Sequence, residues 1–170
     1  MPEPSLTLVL GGARSGKSTH AEGLIAELAP PWTYVATAES FDTEMDERIR
    51  LHRERRDGRW QTLDAPLDLA GTLCAVPEGR PVLVDCLTLW LSNHLLAEHD
   101  LDGVSDALLD ALRHPRGPWV VVSNEVGLGI VPDNALARRF RDAAGRLNQR
   151  VAAIADHAVF IAAGLPIRLK

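Results

Sequence analysis

Cysteine and aromatic residues are scarce in this chain: 170 residues hold two Cys, one Tyr and three Phe. Cys74 and Cys86 stand in no Cys-x-x-Cys or Cys/His spacing. That excludes a disulfide framework or a zinc site and predicts buried, reduced thiols. No apolar run approaches the roughly 20 residues that span a bilayer, so membrane insertion is not expected. The N-terminal MPEPSLTLVLGG has no basic region and too short an apolar run for a secretory signal, so a cytoplasmic protein is expected. A basic excess is also lacking: the formal net charge is -5, with no basic tail. General attraction to nucleic acid or anionic lipid is thereby excluded, and any anion must be held by local geometry. No NKxD guanine-reading motif follows an apolar run. The DxxG strings DLAG (Asp68 to Gly71) and DAAG (Asp142 to Gly145) fall in helical or surface patterns, which disfavours a switch GTPase.

What is present is an aliphatic interior, 46% hydrophobic against 24% charged, of a size that fits one domain over residues 1–170. Apolar runs alternate with helical patterns. LTLVL (Leu6 to Leu10), WTYVATA (Trp32 to Ala38), PVLVD (Pro81 to Asp85), WVVVSNE (Trp119 to Glu125), AVFIAA and PIRLK read as strands. Helices are expected from Lys17 to about Leu28, from Thr43 or Asp42 to Gly58, over CLTLWLSNHLLAEH and VSDALLDALRH, and from about Ala135 to Asp156. GLGIVPDN reads as an irregular loop. Strands apolar on both faces, separated by helices, predict an α/β doubly wound, mostly parallel sheet covered on both sides.

The segment GGARSGKS matches the P-loop pattern GxxxxGK[ST], with an apolar strand before it and a helix after it. Gly11, Gly12, Ala13, Arg14, Ser15, Gly16, Lys17 and Ser18 are therefore candidate nucleotide-binding residues. Glycines let successive N–H groups turn into one concavity, and the helix N-terminus adds partial positive charge. Lys17 would reach the β and γ phosphates, and Ser18 would offer its hydroxyl to Mg²⁺. Asp85 ends the run VLV, where P-loop enzymes carry the acid that holds Mg²⁺; the alternative is an N-cap for the helix after it.

RIRLHRERRDGRW (Arg48 to Trp60) concentrates six arginines and one histidine in an acidic protein. On a helix Met45, Ile49 and His52 share one face, with Arg48, Arg55 and Arg59 beside it. One reading is an amphipathic surface helix with a half-buried histidine. Against it, six like charges oppose the helix unless an anion neutralises them, and a polyphosphate is the obvious candidate. Neutral imidazole is a competent nucleophile at phosphorus, and guanidinium groups nearby would keep it neutral and stabilise an in-line displacement. The residues alone leave both readings open. The remaining histidines carry no site pattern: His94 and His99 are five apart, off the spacing for a shared metal on one helix face.

Several blocks resemble one family, the bifunctional adenosylcobinamide kinase / adenosylcobinamide-phosphate guanylyltransferases of cobalamin nucleotide-loop assembly. They are GGARSGKSTHAE (Gly11 to Glu22), YVATA (Tyr34 to Ala38), EMDERIRLHRERR (Glu44 to Arg56), LVDCLTLWLSN (Leu83 to Asn93) and, most specifically, SNEVGLGIVPDNALARRFRDAAGRLNQRVAAIAD (Ser123 to Asp156). The resemblance implies phosphorylation of adenosylcobinamide by ATP or GTP, then attack of His52 on the α phosphorus of GTP. A covalent GMP adduct and pyrophosphate would result, and GMP would pass to the cobinamide phosphate. It implies nucleotide contacts at Ala36, Thr37 and Ala38, at Arg53, Glu54, Arg55 and Arg56, and at the acids Asp64 and Asp85, where the family carries Glu. It also implies a role for Asn124 and for Glu125, as base or metal-water partner or else as a loop anchor, and a homotrimer whose interface LTLWLSNHLL could serve, the alternative for that helix being plain core. Two other readings stand beside it: a single-step P-loop small-molecule kinase with His52 structural, and a regulatory NTP-binding module.

Overall fold

The computed structural model describes residues 3–39 and 57–170. Among them the strands are β1 (Ser5–Gly11), β2 (Trp32–Ala36), β3 (Trp60–Asp64), β4 (Val82–Asp85), β5 (Pro118–Asn124), β6 (His157–Ala162) and β7 (Leu165–Arg168). The helices are α1 (Lys17–Ala26), α2 (Leu69–Ala75), α3 (Leu87–Leu96), α4 (Leu101–Leu112) and α5 (Ala135–Ile154). The strands form one sheet in the order β3-β2-β4-β5-β1-β6-β7. Every neighbouring pair is parallel except β6 with β7, which closes the edge as an antiparallel hairpin. The expected helix from Thr43 to Gly58 lies almost wholly outside the described residues.

The apolar runs are continuous because both sheet faces are covered. On one face, Val9, Tyr34, Leu83, Val120 and Val122 pack with Ala21 and Ile25 of α1. On the other, Leu6, Leu8, Leu10, Val35, Val82, Val84 and Val121 pack against residues of α2, α3, α4 and α5. Each fully buried aliphatic side chain contributes roughly 1.5–3 kcal/mol, so this double cover is the main source of stability. Among the described residues no helix is long and apolar enough to cross a membrane.

Three expectations change, and for helix α3 the core alternative holds. WQTLD forms β3, although two of its five residues are exposed and it has no apolar run; parallel pairing with β2 organises it. Helix α4 begins at Leu101, ahead of the expected Val104, because Asp100 caps it by accepting from the Asp102 N–H at 3.2 Å. Helix α3 belongs to the core: Leu87, Trp90, Leu91 and Leu95 are all buried, and of these apolar side chains only Leu96, at 58% exposure, is open. Cys74 is exposed on the outer side of the short α2, whereas Cys86 is buried as expected.

Candidate active site

The carboxyl ends of the strands converge on one edge. Gly11 at the end of β1 pairs with Asn124 of β5 and Ile161 of β6. Ala36 at the end of β2 pairs with Asp64 on one side and Asp85 on the other. The P-loop turns away from this edge into α1. Its tightness explains the glycines: a Cβ on Gly11 would lie 2.4 Å from Ser15 Oγ and 2.9 Å from the Ile161 carbonyl oxygen. Gly16 has φ +94°, and its Cβ would meet Gly164 Cα at 3.2 Å. Gly164 belongs to the two-residue β6–β7 turn, where Ala163 and Gly164 have φ 51° and 78° as hairpin twist demands. The Gly164 N–H donates to the Ser15 carbonyl at 2.8 Å, so the terminal hairpin buttresses the loop from behind. Lys17 Nζ donates to the Gly12 carbonyl at 3.0 Å, which folds the ammonium over the loop. No side chain caps α1, so its first N–H groups remain for an anion.

Two acids, Asp64 and Asp85, end β3 and β4. Asp85 does not cap α3; the cap position is Cys86, without a side-chain bond. Instead, Asp85 Oδ2 accepts from the Tyr34 hydroxyl at 3.1 Å. Asp64 and Asp85 flank Ala36 in register and project to the face that carries α1. Adjacent strands lie about 4.8 Å apart, which sets the two Cα atoms roughly 10 Å from each other. Thr37 is fully buried and tied inward. Its hydroxyl donates to the Cys86 carbonyl at 2.7 Å and accepts the Cys86 N–H at 2.8 Å, while its carbonyl accepts from Asn93 Nδ2 at 2.8 Å. Thr37 thus clamps β2 to β4, and half-buried Ala36 and Ala38 are its neighbours facing the edge. Burial, reinforced by the Asp85 charge, pushes the Cys86 thiol up to about 11, so it stays neutral and unreactive.

Between loop and acids lies the end of β5. The Asn124 N–H donates to Thr88 Oγ1 at 2.7 Å and its carbonyl accepts from Asn148 Nδ2 at 3.1 Å. Asn148 Oδ1 in turn accepts from Ser123 Oγ at 2.6 Å. The Glu125 N–H donates to the Gly11 carbonyl at 3.0 Å, and Glu125 Oε1 accepts from the Gly127 N–H at 2.5 Å. This carboxylate therefore anchors its own loop, which Arg141 Nη2 also holds through the Gly127 carbonyl at 3.1 Å. Polar residues absent from the sequence-based expectations, Thr88, Asn93 and Asn148, hold the edge together; amides inside otherwise apolar helical stripes were the available signal. His52, Arg53, Glu54, Arg55 and Arg56 lie outside the described residues. Among the described residues no group of three or more His, Cys, Asp or Glu is placed to hold a metal.

A strand-loop-helix anion cradle, faced by an acid from the next strand but one, defines a P-loop NTPase fold of the RecA-like type. Solved structures agree at the level of fold. One from Pyrococcus horikoshii OT3 matches with a TM-score of 0.55 at 11% identity, covering 100% of this chain and 88% of that one. The type III secretion ATPase EscN of enteropathogenic E. coli matches with a TM-score of 0.55 at 13% identity, covering 94% and 43%. The family model described as cobinamide kinase / cobinamide phosphate guanyltransferase matches residues 7–169, and the chain belongs to that family. It is 51% identical to the bifunctional adenosylcobalamin biosynthesis protein of Pseudomonas aeruginosa, over 96% of each chain. The corresponding protein of Salmonella typhimurium is 40% identical, over 97% of this chain and 99% of that one. This is accordingly an enzyme of two transfers, a kinase and a guanylyltransferase.

Proposed function

We propose that the P-loop edge phosphorylates the aminopropanol hydroxyl of adenosylcobinamide with ATP or GTP, and that His52 then carries GMP to the product. The reading is carried by the convergence of the loop, Asp85 and Asn124 on one strand edge. The loop N–H groups and Lys17 bind the β and γ phosphates. Ser18 and Asp85 are an alcohol and a carboxylate, the hard oxygen donors that suit Mg²⁺, and Mg²⁺ held there would offset phosphate charge. Ala36 and Ala38 border the nucleotide, Asp64 faces a ribose hydroxyl, and Glu125 takes the proton of the incoming alcohol.

In the second transfer a neutral His52 nitrogen bonds to the α phosphorus of GTP as the bond to pyrophosphate breaks. The cobinamide phosphate oxygen then displaces the histidine, giving adenosylcobinamide-GDP. Arg53, Arg55 and Arg56 balance the phosphate charge. The domain works in the cytoplasm as a homotrimer.

Incubating the chain with GTP labelled at the α or the γ position tests this reading. Acid-labile, alkali-stable α label should attach to the intact chain and not to His52→Ala. Attachment without His52, or no attachment at all, rejects the covalent step and leaves a single-step kinase.

A further inference from the structure

The loop that leaves the catalytic edge after β5 displays aliphatic side chains to solvent. From Val126 to Pro132 the sequence VGLGIVP carries no charged or polar side chain. Val126 packs against the core, but Leu128, Ile130 and Val131 are 82%, 98% and 57% exposed. Single exposed aliphatics are ordinary on a protein surface; three within four residues form a patch that wants a partner.

The patch is held out from both ends. At its start the Glu125 N–H donates to the Gly11 carbonyl, Glu125 Oε1 takes the Gly127 N–H, and Arg141 Nη2 donates to the Gly127 carbonyl. At its end Arg138 Nη1 donates to the carbonyls of Pro132 at 2.9 Å and Asp133 at 2.7 Å, and Asn134 Oδ1 caps α5 by accepting the Ala137 N–H at 3.0 Å. One stem is thus tied to the strand that carries the P-loop and the other to α5, so the apolar tip is preorganised beside the site.

Position and chemistry select the occupant. Ligands of open α/β sheets lie beyond the carboxyl ends of the strands, and this loop springs from that end of β5, next to Gly11. A nucleoside triphosphate brings charge, which the P-loop N–H groups and Lys17 meet and an uncharged tip does not. The other reactant of the family, a cobinamide, is a broad macrocycle whose rim carries methyl groups, a surface that water solvates poorly.

We propose that Leu128, Ile130 and Val131 form a docking platform for the corrin macrocycle, holding its apolar rim while the aminopropanol arm reaches the γ phosphate. The inference rests on the kinase reading of this edge. The platform selects a large acceptor over small alcohols and takes no part in bond making.

Equilibrium dialysis of adenosylcobinamide, followed by its visible absorbance, tests this beside a fluorescent-nucleotide titration of the ATP site. Ile130→Ser alters a side chain that is 98% exposed, so the urea midpoint should not move. The corrinoid Kd should rise about three- to tenfold, and more than about tenfold when Leu128→Ser is added. Ile130→Met keeps the apolar surface and should stay within about twofold of the unaltered chain, as should ATP affinity in every variant. An unchanged corrinoid Kd in the double variant, equal losses for Met and Ser, or a matching loss of ATP affinity would each overturn the proposal. So would a double variant that sediments as a smaller assembly, which would assign the tip to a contact between copies of the chain. If the unaltered chain binds ATP but no adenosylcobinamide, the kinase reading itself fails and the platform with it, a result that depends on no variant.

Discussion

The hydroxyl of Tyr34 donates to Oδ2 of Asp85 at 3.1 Å across the paired strands β2 and β4. A carboxylate at a strand end would otherwise choose among rotamers, and this bond selects one. The same ring packs edge-on against Trp60, with centroids 6.2 Å apart, so the tyrosine is itself held. The orientation of Asp85, the acid proposed to serve Mg²⁺, is thus set from the neighbouring strand.

Tyr34→Phe keeps the ring contact and removes only the hydroxyl. A hydrogen bond to a charged group contributes about 1.5 kcal/mol, close to tenfold in an equilibrium. The Mg²⁺ concentration for half-maximal γ-phosphate transfer should rise about three- to tenfold, at nearly unchanged maximal rate. A magnesium titration at saturating ATP reads this directly, and an unshifted midpoint would show that the bond does not prepare Asp85.

The two glycines that meet behind the P-loop should behave differently. Gly16→Ala places a Cβ at 3.2 Å from Gly164 Cα on a residue with φ +94°. Backbone strain of about 1–3 kcal/mol and displacement of the hairpin should both follow, with ATP affinity down more than tenfold. Gly164→Ala has φ +78° but open space around it. It should cost about 1–2 kcal/mol in urea denaturation and leave ATP affinity within about threefold.

The difference between those sites bears on what a sequence reveals. The P-loop was legible because its residues, their spacing and the flanking strand and helix all lie within one short segment. The place of Asp85 at a strand end was legible because an acid ends an apolar run. The strands of the terminal hairpin were legible as AVFIAA and PIRLK, but its place behind the loop was not, since contact between Gly164 and Ser15 joins distant parts of the chain. Nor was β3, whose WQTLD has the mixed exposure of an edge strand and takes its form from β2. Thr37 sits inside a segment marked for nucleotide contact, yet its hydroxyl is spent on the Cys86 backbone, a partner 49 residues away. His94 and His99 were set aside on helical spacing, but the chain turns after α3 and brings their Nδ1 atoms to 2.8 Å. Local pattern identifies the chemistry; long-range pairing decides which atoms remain available for it.

That histidine pair predicts an acid-sensitive fold. Leu67 O only accepts, so its 3.1 Å contact requires a proton on His94 Nε2. Nδ1 of the neutral ring is then the acceptor from His99. Burial, helped by the His99 charge and opposed by the Leu67 bond, lowers the His94 pKa below the ordinary 6.5. The unfolded chain therefore binds the proton first, and stability present above pH 6.5 is lost as pH falls below it. Urea midpoints between pH 7.5 and 5 should decline on the acid side, and His94→Gln, though less stable at neutral pH, should decline less. Parallel curves would assign the acid limb to other groups.

Cys86 predicts the opposite limb. Its thiol is held up at about 11, against 9.0 unperturbed, by burial first and by the Asp85 charge second. Here the unfolded chain loses the proton first, so stability is intact below pH 9 and falls as pH rises from 9 towards 11. Two units correspond to about 3 kcal/mol, a large part of a typical folding free energy. Cys86→Ala should lose some packing at pH 8 but resist the alkaline fall. Iodoacetamide gives an independent reading at pH 8: peptide mapping should find exposed Cys74 alkylated and Cys86 unmodified until the chain is unfolded. Equal labelling of both thiols in the folded protein would mean that the floor beneath Asp85 opens to solvent. The clamp that Thr37 makes with the Cys86 backbone would then not hold the acid in place.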